Sequence, residues 1–584
     1  MDKIKPQIEQ VNKNEVLLKA NGEWLHFGNP YRWIAAESLK DVLPALREME
    51  GLVQANNWYA AGFLSYEAAP AFDPALQTRA ASGFPYIRFG LYPEPRIVAL
   101  PKPEGPSEIL DWHATICQET YNSAIGKIKD HIAAGRTYQV NYTMRLQTKF
   151  LDNAWEFFLQ LAQKQIQHAA YVDAGHYVIC SASPELFFQL DGDTITCRPM
   201  KGTAPRGRNT AEDRGQSAWL KHSEKNRAEN VMIVDMIRND LGRLAEVGSV
   251  SVPQLFETER YPTLWQMTST VSAKTNASLV EILTALFPCA SITGAPKVGT
   301  MRIIAELEST PRKIYTGTIG YLAPQRKAKF NVAIRTALID RACQGAEYGV
   351  GGGIVWDSTS TDEYTEALLK AQVLTQEQRP FSLLETIRWT PGHSFFLHEK
   401  HVARMLDSAK YFDFPILREN LEDYLEQISS RFRMPQRVRV LLDQDGNLDF
   451  ESSPFDLLKD KRSLNVCLAK EPLDSRNVFL FHKTTQRAVY DSARRGCQDL
   501  DDVLLYNEKG ELTEFTIGNL VVQLDGHLFT PPLSCGVLAG TFRAYVLETG
   551  QVTERTILVE QLASCTKLFR INSIRRWQTI EVQR

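Results

Sequence analysis

Residues 183–207 read SPELFFQLDGDTITCRPMKGTAPRG, and residues 224–243 read EKNRAENVMIVDMIRNDLGR. The first run predicts a β-hairpin, because LFFQL and TITCRP flank Asp191-Gly192-Asp193 and Asp-Gly between apolar runs is a strong hairpin signal. Folding about Gly192 carries Glu185 and Lys201 towards the same open end. A carboxyl and an amine held together can divide acid, base and nucleophilic work, provided the lysine gives up part of its proton affinity. Gly202-Thr203-Ala204-Pro205-Arg206-Gly207 then forms a small-residue turn whose N–H groups suit an anion. The second run predicts a long helix over Ala228 to Leu241 closed by Gly242, with Glu229 in its first two turns. Spacing alone leaves a surface lysine beside an ordinary turn as an equal alternative.

Working outward, Tyr121, Ile125, Ile128 and Ile132 mark a helix ending near Gly135, and Tyr138 to Thr143 (YQVNYT) follows as a strand. Ser291 to Lys297 (SITGAPK) reads as a turn into a helix over Val298 to Leu307. Tyr315–Tyr321 and Val332–Leu338 read as strands, and Gly351-Gly352-Gly353 permits close backbone approach to a ligand. In Ser360 to Lys370, Glu363, Glu366 and Lys370 share a helix face, with Thr361 as the expected N-cap. Residues 1 to about 110 read as short strands and turns. The alternation of strands and helices without a strict βαβ repeat predicts mixed α/β layers.

The order SPE, RPMKGTAPRG, RAENVMIVDMIRNDLGR, SITGAPK, GGGIVWDS resembles the chorismate-utilising enzymes, the family of anthranilate synthase and aminodeoxychorismate synthase component I, over roughly residues 60–375. That resemblance implies a layered β-sandwich with helices over 1–375. It implies a nucleophilic lysine at 201, a feature of the aminodeoxychorismate branch where anthranilate synthases carry a small residue. It further implies Mg²⁺ held by Glu229 and Glu366, with Asn226 and Glu363 supporting the ion through water. Chorismate would be bound by Gly202, Thr203, Tyr321, Arg335, the amides of Gly351, Gly352 and Gly353, and Lys370. Gln266 stands where the family usually has a histidine; glutamine cannot titrate near neutral pH, so Glu185 is the candidate for proton transfer.

A second pattern follows a polar connection at 372–381. It predicts a helix over His398–Phe412, strands at 438–442, 464–468, 502–506 and 520–524, and a helix opened by Gly540-Thr541. Arg404, Phe481-His482-Lys483-Thr484 and Glu514 occur in an order that resembles fold-type IV pyridoxal-phosphate enzymes, especially aminodeoxychorismate lyase, over 376–584. By that resemblance Lys483 is the covalent anchor of pyridoxal 5'-phosphate and Glu514 partners its ring nitrogen. Arg404 with the Gly540 and Thr541 amides holds the phosphate, while Thr386 and Arg439 lie on the substrate side.

Together these imply 4-aminobenzoate synthesis in two steps upstream of folate. A separate glutamine amidotransferase would supply the ammonia, since no glutaminase signature is present. An anthranilate synthase fused to an aminotransferase-like domain, or a silent ligand-binding scaffold, are the alternatives.

With 66 basic and 69 acidic residues the formal charge is -3, which argues against nucleic acid as a partner. Nine scattered cysteines with no C-x-x-C favour reduced thiols and a cytoplasmic location. No apolar run predicts a membrane span. A homodimer through the second domain is expected by analogy with fold-type IV enzymes.

Overall fold

The computed structural model describes residues 5–103, 110–150, 153–163, 167–375, 380–456, 463–497 and 500–582. The chain divides into two compact units, Met1–Pro205 with Ser217–Gln378, and Arg206–Gln216 with Arg379–Arg584. Of the polar connection expected at 372–381, residues 376–379 lie outside the described residues.

In the first unit, two ten-stranded sheets stack face to face. Val16, Leu18, Phe27, Val172 and Ile179 of one sheet meet Ala61, Phe63, Tyr92 and Ile319 of the other in a shared core. Each sheet buries its other face under helices. Leu39–Asn56, Glu224–Gly242 and Leu279–Leu286 cover one; Gln118–Ala133, Ala154–Gln163, Lys297–Leu307 and Ser360–Thr375 cover the other. The result is a helix–sheet–sheet–helix stack, the arrangement that lets two half-apolar sheets bury both faces.

The hairpin forms as expected. Leu186–Asp191 pairs with Thr194–Arg198, and Gly192 takes φ +62 in the turn. The long helix extends a turn earlier than read, from Glu224, because the Ser223 side chain caps it by accepting from Asn226 N–H.

Three expectations for this unit are corrected. The strand read over Val332–Leu338 is two strands, Lys327–Val332 and Thr336–Asp340, which belong to different sheets. The chain crosses between the sheets at Ala333–Arg335, with Arg335 at φ +50, and the continuous apolar run hides that crossing. The expected N-cap Thr361 lies inside its helix, which starts at Ser360; Thr359 accepts from Asp362 N–H instead, at 3.4 Å. Residues 1–110 also contain the eighteen-residue helix Leu39–Asn56, despite Pro44 within it. Its face of Val42, Leu46, Met49 and Val53 is fully buried, and that burial outweighs the hydrogen bond Pro44 cannot make.

The second unit has a four-stranded sheet, Ser394–Phe395, Leu383–Thr390, Gln436–Leu442 and Leu448–Pro454 in that order, packed under the helices His398–Phe412 and Arg418–Ser429. Its other sheet has eight strands. Leu512–Phe515 pairs with both Asp502–Tyr506 and Gly518–Leu524, so six of the eight close into a ring. Alternate residues Leu464, Val466, Leu504, Leu520 and Val522 fill its interior.

The run Arg206–Gln216 groups with this unit, which a single cut near residue 375 does not anticipate. The Asp213 carboxylate accepts from Arg206 Nε and Gly207 N, and Tyr411 Oη donates to Gly207 O at 2.7 Å.

Cys467 and Cys497 are joined in a disulfide, which corrects the expectation of thiols throughout. The two are 30 residues apart in sequence, and packing of the helix Ala488–Arg495 against the strand Asp502–Tyr506 brings them together. No helix among the described residues is long and apolar enough to cross a membrane.

Candidate active sites

Lys201 lies in a β-bulge. The strand Met200–Pro205 pairs Met200 with Thr268 and Thr203 with Gln266, and the register slips between them. Gly202 takes φ +101 there, a conformation side chains resist. A bulge re-aims the side chain beside it. Here the Lys201 amine is delivered over the Gly345–Ile354 strand, where a Cβ built on Gly353 would come within 3.0 Å of it. Three contacts hold the bulge. Asn230 Nδ2 donates to Lys201 O at 3.1 Å, Ser269 Oγ donates to Asn230 Oδ1 at 2.6 Å, and Gln266 Nε2 donates to Gly202 O at 2.8 Å. Gln266 thus has a positioning role that requires no titration. Thr203 Oγ1 donates to Gln266 Oε1 at 3.3 Å.

The amine pairs with Glu229 at 3.3 Å. Glu185 is buried, and its Oε1 accepts from Ser291 Oγ at 2.6 Å. Burial raises its pKa to about 7, against the lowering effects of Ser291, the Met200 backbone and the Lys201 charge. Lys201 is thus among the charges that act on Glu185.

Glu363 and Glu366 face this group from the helix Ser360–Thr375. Glu363 accepts from Ser358 Oγ at 2.6 Å, and Lys370 Nζ lies 2.8 Å from Glu366 Oε1 and 3.0 Å from Gly351 O. A Cβ on Gly352 would meet Glu363 Oε2 at 3.1 Å, so the glycines give helix side chains access to the strand. Burial and the Glu366 charge raise the Glu363 pKa, while Lys370 and Lys201 lower it. Asn226 lies beside Gly202 and donates to Ser223 Oγ.

Gly351, Gly352 and Gly353 pair in register with Thr143, Tyr142 and Asn141 on one side. On the other side the ladder to Thr336–Asp340 ends at Tyr348, which leaves that edge of the strand open. Only the amides on the open edge can face a ligand.

Two of the expected substrate contacts stand differently. Tyr321 is not brought to the group. It pairs with Lys329, towards the Asp191 end of the hairpin, and its ring packs 5.9 Å from that of Phe27 in the inter-sheet core. Arg335 lies over the Tyr261 ring at 5.9 Å, and the Tyr261 hydroxyl reaches Pro184 O at 3.5 Å. Its guanidinium makes no hydrogen bond among the described residues.

Gln139, the glutamine of YQVN, was not singled out by the sequence. It is fully buried beside Gly353, and neither its Oε1 nor its Nε2 has a hydrogen-bond partner among the described residues. An unpaired buried amide is costly. Asn230 was missed as well, though its spacing of four from Asn226 puts both on one helix face.

The second unit encloses a cavity of about 490 Å³ lined by Lys483, Arg404, Glu514, Gly540, Thr541 and others. The Lys483 amine makes no hydrogen bond or ion pair among the described residues. Burial lowers its pKa to about 8, helped by Arg404 and Arg487 and opposed by Glu385 and Glu514. Glu514 accepts from Tyr490 Oη at 2.8 Å and Asn519 Nδ2 at 2.9 Å; burial lifts its pKa to about 7.

Arg404 is held by Glu385 through Nε at 2.7 Å and a second nitrogen at 2.6 Å, leaving one edge towards Ala539 O. His401 also bonds Glu385 at 2.6 Å and approaches Thr541 Oγ1 at 3.2 Å. Gly540 caps the helix Thr541–Glu548, and a Cβ there would collide with Asn519 Oδ1. Its N–H donates to Leu538 O, which takes Gly540 out of the anion-facing pair expected of Gly540 and Thr541.

Comparison with known proteins follows this division. Residues 13–376 match the chorismate binding enzyme family, and residues 382–581 match the class IV amino-transferases. Aminodeoxychorismate synthase component 1 of Escherichia coli (strain K12) is 39% identical over 271 residues, 46% of this chain and 59% of that protein. The Bacillus subtilis (strain 168) protein of the same name is 37% identical over 276 residues, 47% of this chain and 57% of its own length. The chain therefore spans less than two thirds of these relatives. Anthranilate synthase component I from Streptococcus pneumoniae TIGR4 shares the fold at TM-score 0.52 and 24% identity, over 63% of this chain and 91% of that one. The chain belongs to the chorismate binding enzyme family, with a class IV amino-transferase domain following on the same polypeptide.

Proposed function

We propose that the first unit converts chorismate and ammonia to 4-amino-4-deoxychorismate, and that the second removes pyruvate from it to give 4-aminobenzoate. The observation that carries this reading is Lys201, a bulge-mounted amine coupled to a buried carboxylic acid whose pKa near 7 keeps a proton available.

In the first step the Lys201 amine, held 3.3 Å from Glu229, gives up a proton to solvent and attacks ring C2. The ring double bonds shift, and the C4 hydroxyl departs as water with a proton from Glu185. Ammonia then adds at C4, the double bonds shift back, and the lysine leaves C2. Arg335, Lys370 and the open-edge amides of Gly351–Gly353 are the groups available to the substrate's two carboxylates.

Glu229 and Glu366, from two helices, would hold Mg²⁺, with Glu363 and Asn226 supporting it through water, since the ion takes few carboxylates and keeps several waters. Bound there, the ion would supply positive charge for a substrate carboxylate. A glutamine amidotransferase subunit supplies the ammonia, a role consistent with the "component 1" in the relatives' names.

The second cavity suits pyridoxal 5'-phosphate. Lys483 is an unpartnered, desolvated amine, Glu514 offers a carboxylate for the ring nitrogen, and Arg404 with Thr541 at a helix N-terminus suits the phosphate. When bound, the cofactor supplies the electron-accepting ring that weakens the C–H bond beside the substrate amine. Lys483 takes that C4 proton, and aromatisation of the ring drives the departure of pyruvate.

Purified protein given chorismate, ammonium, Mg²⁺ and pyridoxal phosphate tests the whole reading. 4-Aminobenzoate with equimolar pyruvate is expected. 2-Aminobenzoate would assign the first unit to anthranilate synthesis, and no aromatic product at all would sink the two-step reading.

A further inference from the structure

The cavity of the second unit carries more positive charge than a phosphate requires. Seven lysine and arginine side chains line it, against the carboxylates of Asp501 and Glu514. Arg404 is committed to Glu385, and Arg570 to Asp502 and Gln578.

Three others form a separate cluster. Arg437 and Arg439 are two apart on the strand Gln436–Leu442 and line the cavity from one face of it. Arg575 joins them from the turn before Arg576–Val582. Arg439 bonds Glu451 at 2.8 Å; Arg575 donates to Asp456 O at 2.9 Å and lies over the Phe455 ring at 4.4 Å. Arg437 has no carboxylate partner among the described residues.

Burial, then the charges of Arg439 and Arg575, pull the Arg437 pKa down, with Glu451 opposing. Like charges gathered around a cavity are stabilised by an incoming anion, and planar guanidinium groups match a carboxylate in shape. The charges acting most on Lys483 are those of Arg404, Glu385, Arg487 and Glu514, none of them in this cluster.

We propose that Arg437, Arg439 and Arg575 form a carboxylate subsite that selects dicarboxylate substrates, holding one carboxylate while Lys483 reaches the amine-bearing ring carbon. The inference deepens the lyase reading and rests on it. It adds the recognition element that separates a ring bearing an enol-ether carboxylate from a ring with one carboxylate alone.

The test uses full-length protein loaded with pyridoxal phosphate and two unreactive probes, 3-(carboxymethoxy)benzoate and 3-methoxybenzoate, titrated by calorimetry. The dicarboxylate is expected to bind about tenfold tighter or more, the scale of one charge-assisted pair. The double variant R437A/R575A should erase that preference while the cofactor's absorbance band persists. A preference that survives the double variant overturns the proposal. Should that variant lose the cofactor band, Arg437→Gln alone decides: a weakened preference supports the subsite and an intact one refutes it. Pyruvate release from 4-amino-4-deoxychorismate, measured in parallel, separates the two claims. Release without a dicarboxylate preference sinks the subsite and leaves the lyase; preference without release sinks the lyase and leaves the subsite.

Discussion

The two lysines on which the proposed function rests are prepared in opposite ways. Lys201 stands in a bulge, paired with Glu229 and ringed by further carboxylates from a second helix. Lys483 stands in a cavity rich in arginine, without a hydrogen-bond or ion-pair partner among the described residues, and its pKa falls to about 8. The first arrangement sets the amine among carboxylates. The second raises the neutral fraction of the amine, the form that condenses with an aldehyde. A family of dicarboxylate substrates and a cationic ion suit the first, and an anionic cofactor suits the second. The same side chain is thus given two chemistries by its counter-charges.

The sharpest way to break this comparison is to remove each amine. Lys483→Ala is expected to cut pyruvate release by about 10⁴-fold, the scale on which covalent catalysis fails without its nucleophile, and to spare chorismate consumption. Lys201→Ala should do the reverse. Steady-state assays of each half-reaction check both.

Next in size is Glu185→Gln, expected to lower chorismate turnover by about 10²-fold. The wild-type rate needs this carboxyl protonated, so it should fall as pH rises through about 7. The variant should lose that descending limb, as a pH series will show.

A comparable shift is expected in cofactor uptake by the bare protein. Only the neutral Lys483 amine condenses, so the rate should climb with pH and level off above about 8. Between pH 6 and 8 the neutral fraction grows on the order of 50-fold, and stopped-flow absorbance would follow it. A flat profile would mean that the amine is not the titrating group.

The smallest effect is at Gln266. Its hydrogen bond to Gly202 O is one of three contacts that hold the bulge, so Gln266→Ala should cost about fivefold in turnover, the worth of one neutral hydrogen bond. A loss of many hundredfold would give Gln266 a direct chemical role.

Much of this was legible in the chain itself. Asp-Gly between apolar runs announced the hairpin, and the helices at 224–242, 297–307 and 398–412 followed from apolar spacing and end signals. What escaped depends on long-range packing. Pro44 concealed a helix that only burial against a sheet stabilises. The crossing at Ala333–Arg335 sits inside an apolar run that reads as one strand. Tyr321 was placed by motif, yet strand register carries it into the inter-sheet core. Gln139 and Asn230 act through atoms distant in sequence, and no local pattern marks an amide that lacks a partner or clamps a lysine carbonyl.

The account stands or falls on two lysines working in series. Chorismate consumption and pyruvate release from 4-amino-4-deoxychorismate should be measured separately on Lys201→Ala and Lys483→Ala, each loaded with Mg²⁺ and pyridoxal phosphate. The prediction is a clean exchange: Lys201→Ala keeps pyruvate release at the wild-type rate and consumes no chorismate, and Lys483→Ala does the opposite. Equal loss of both activities in either variant would contradict it.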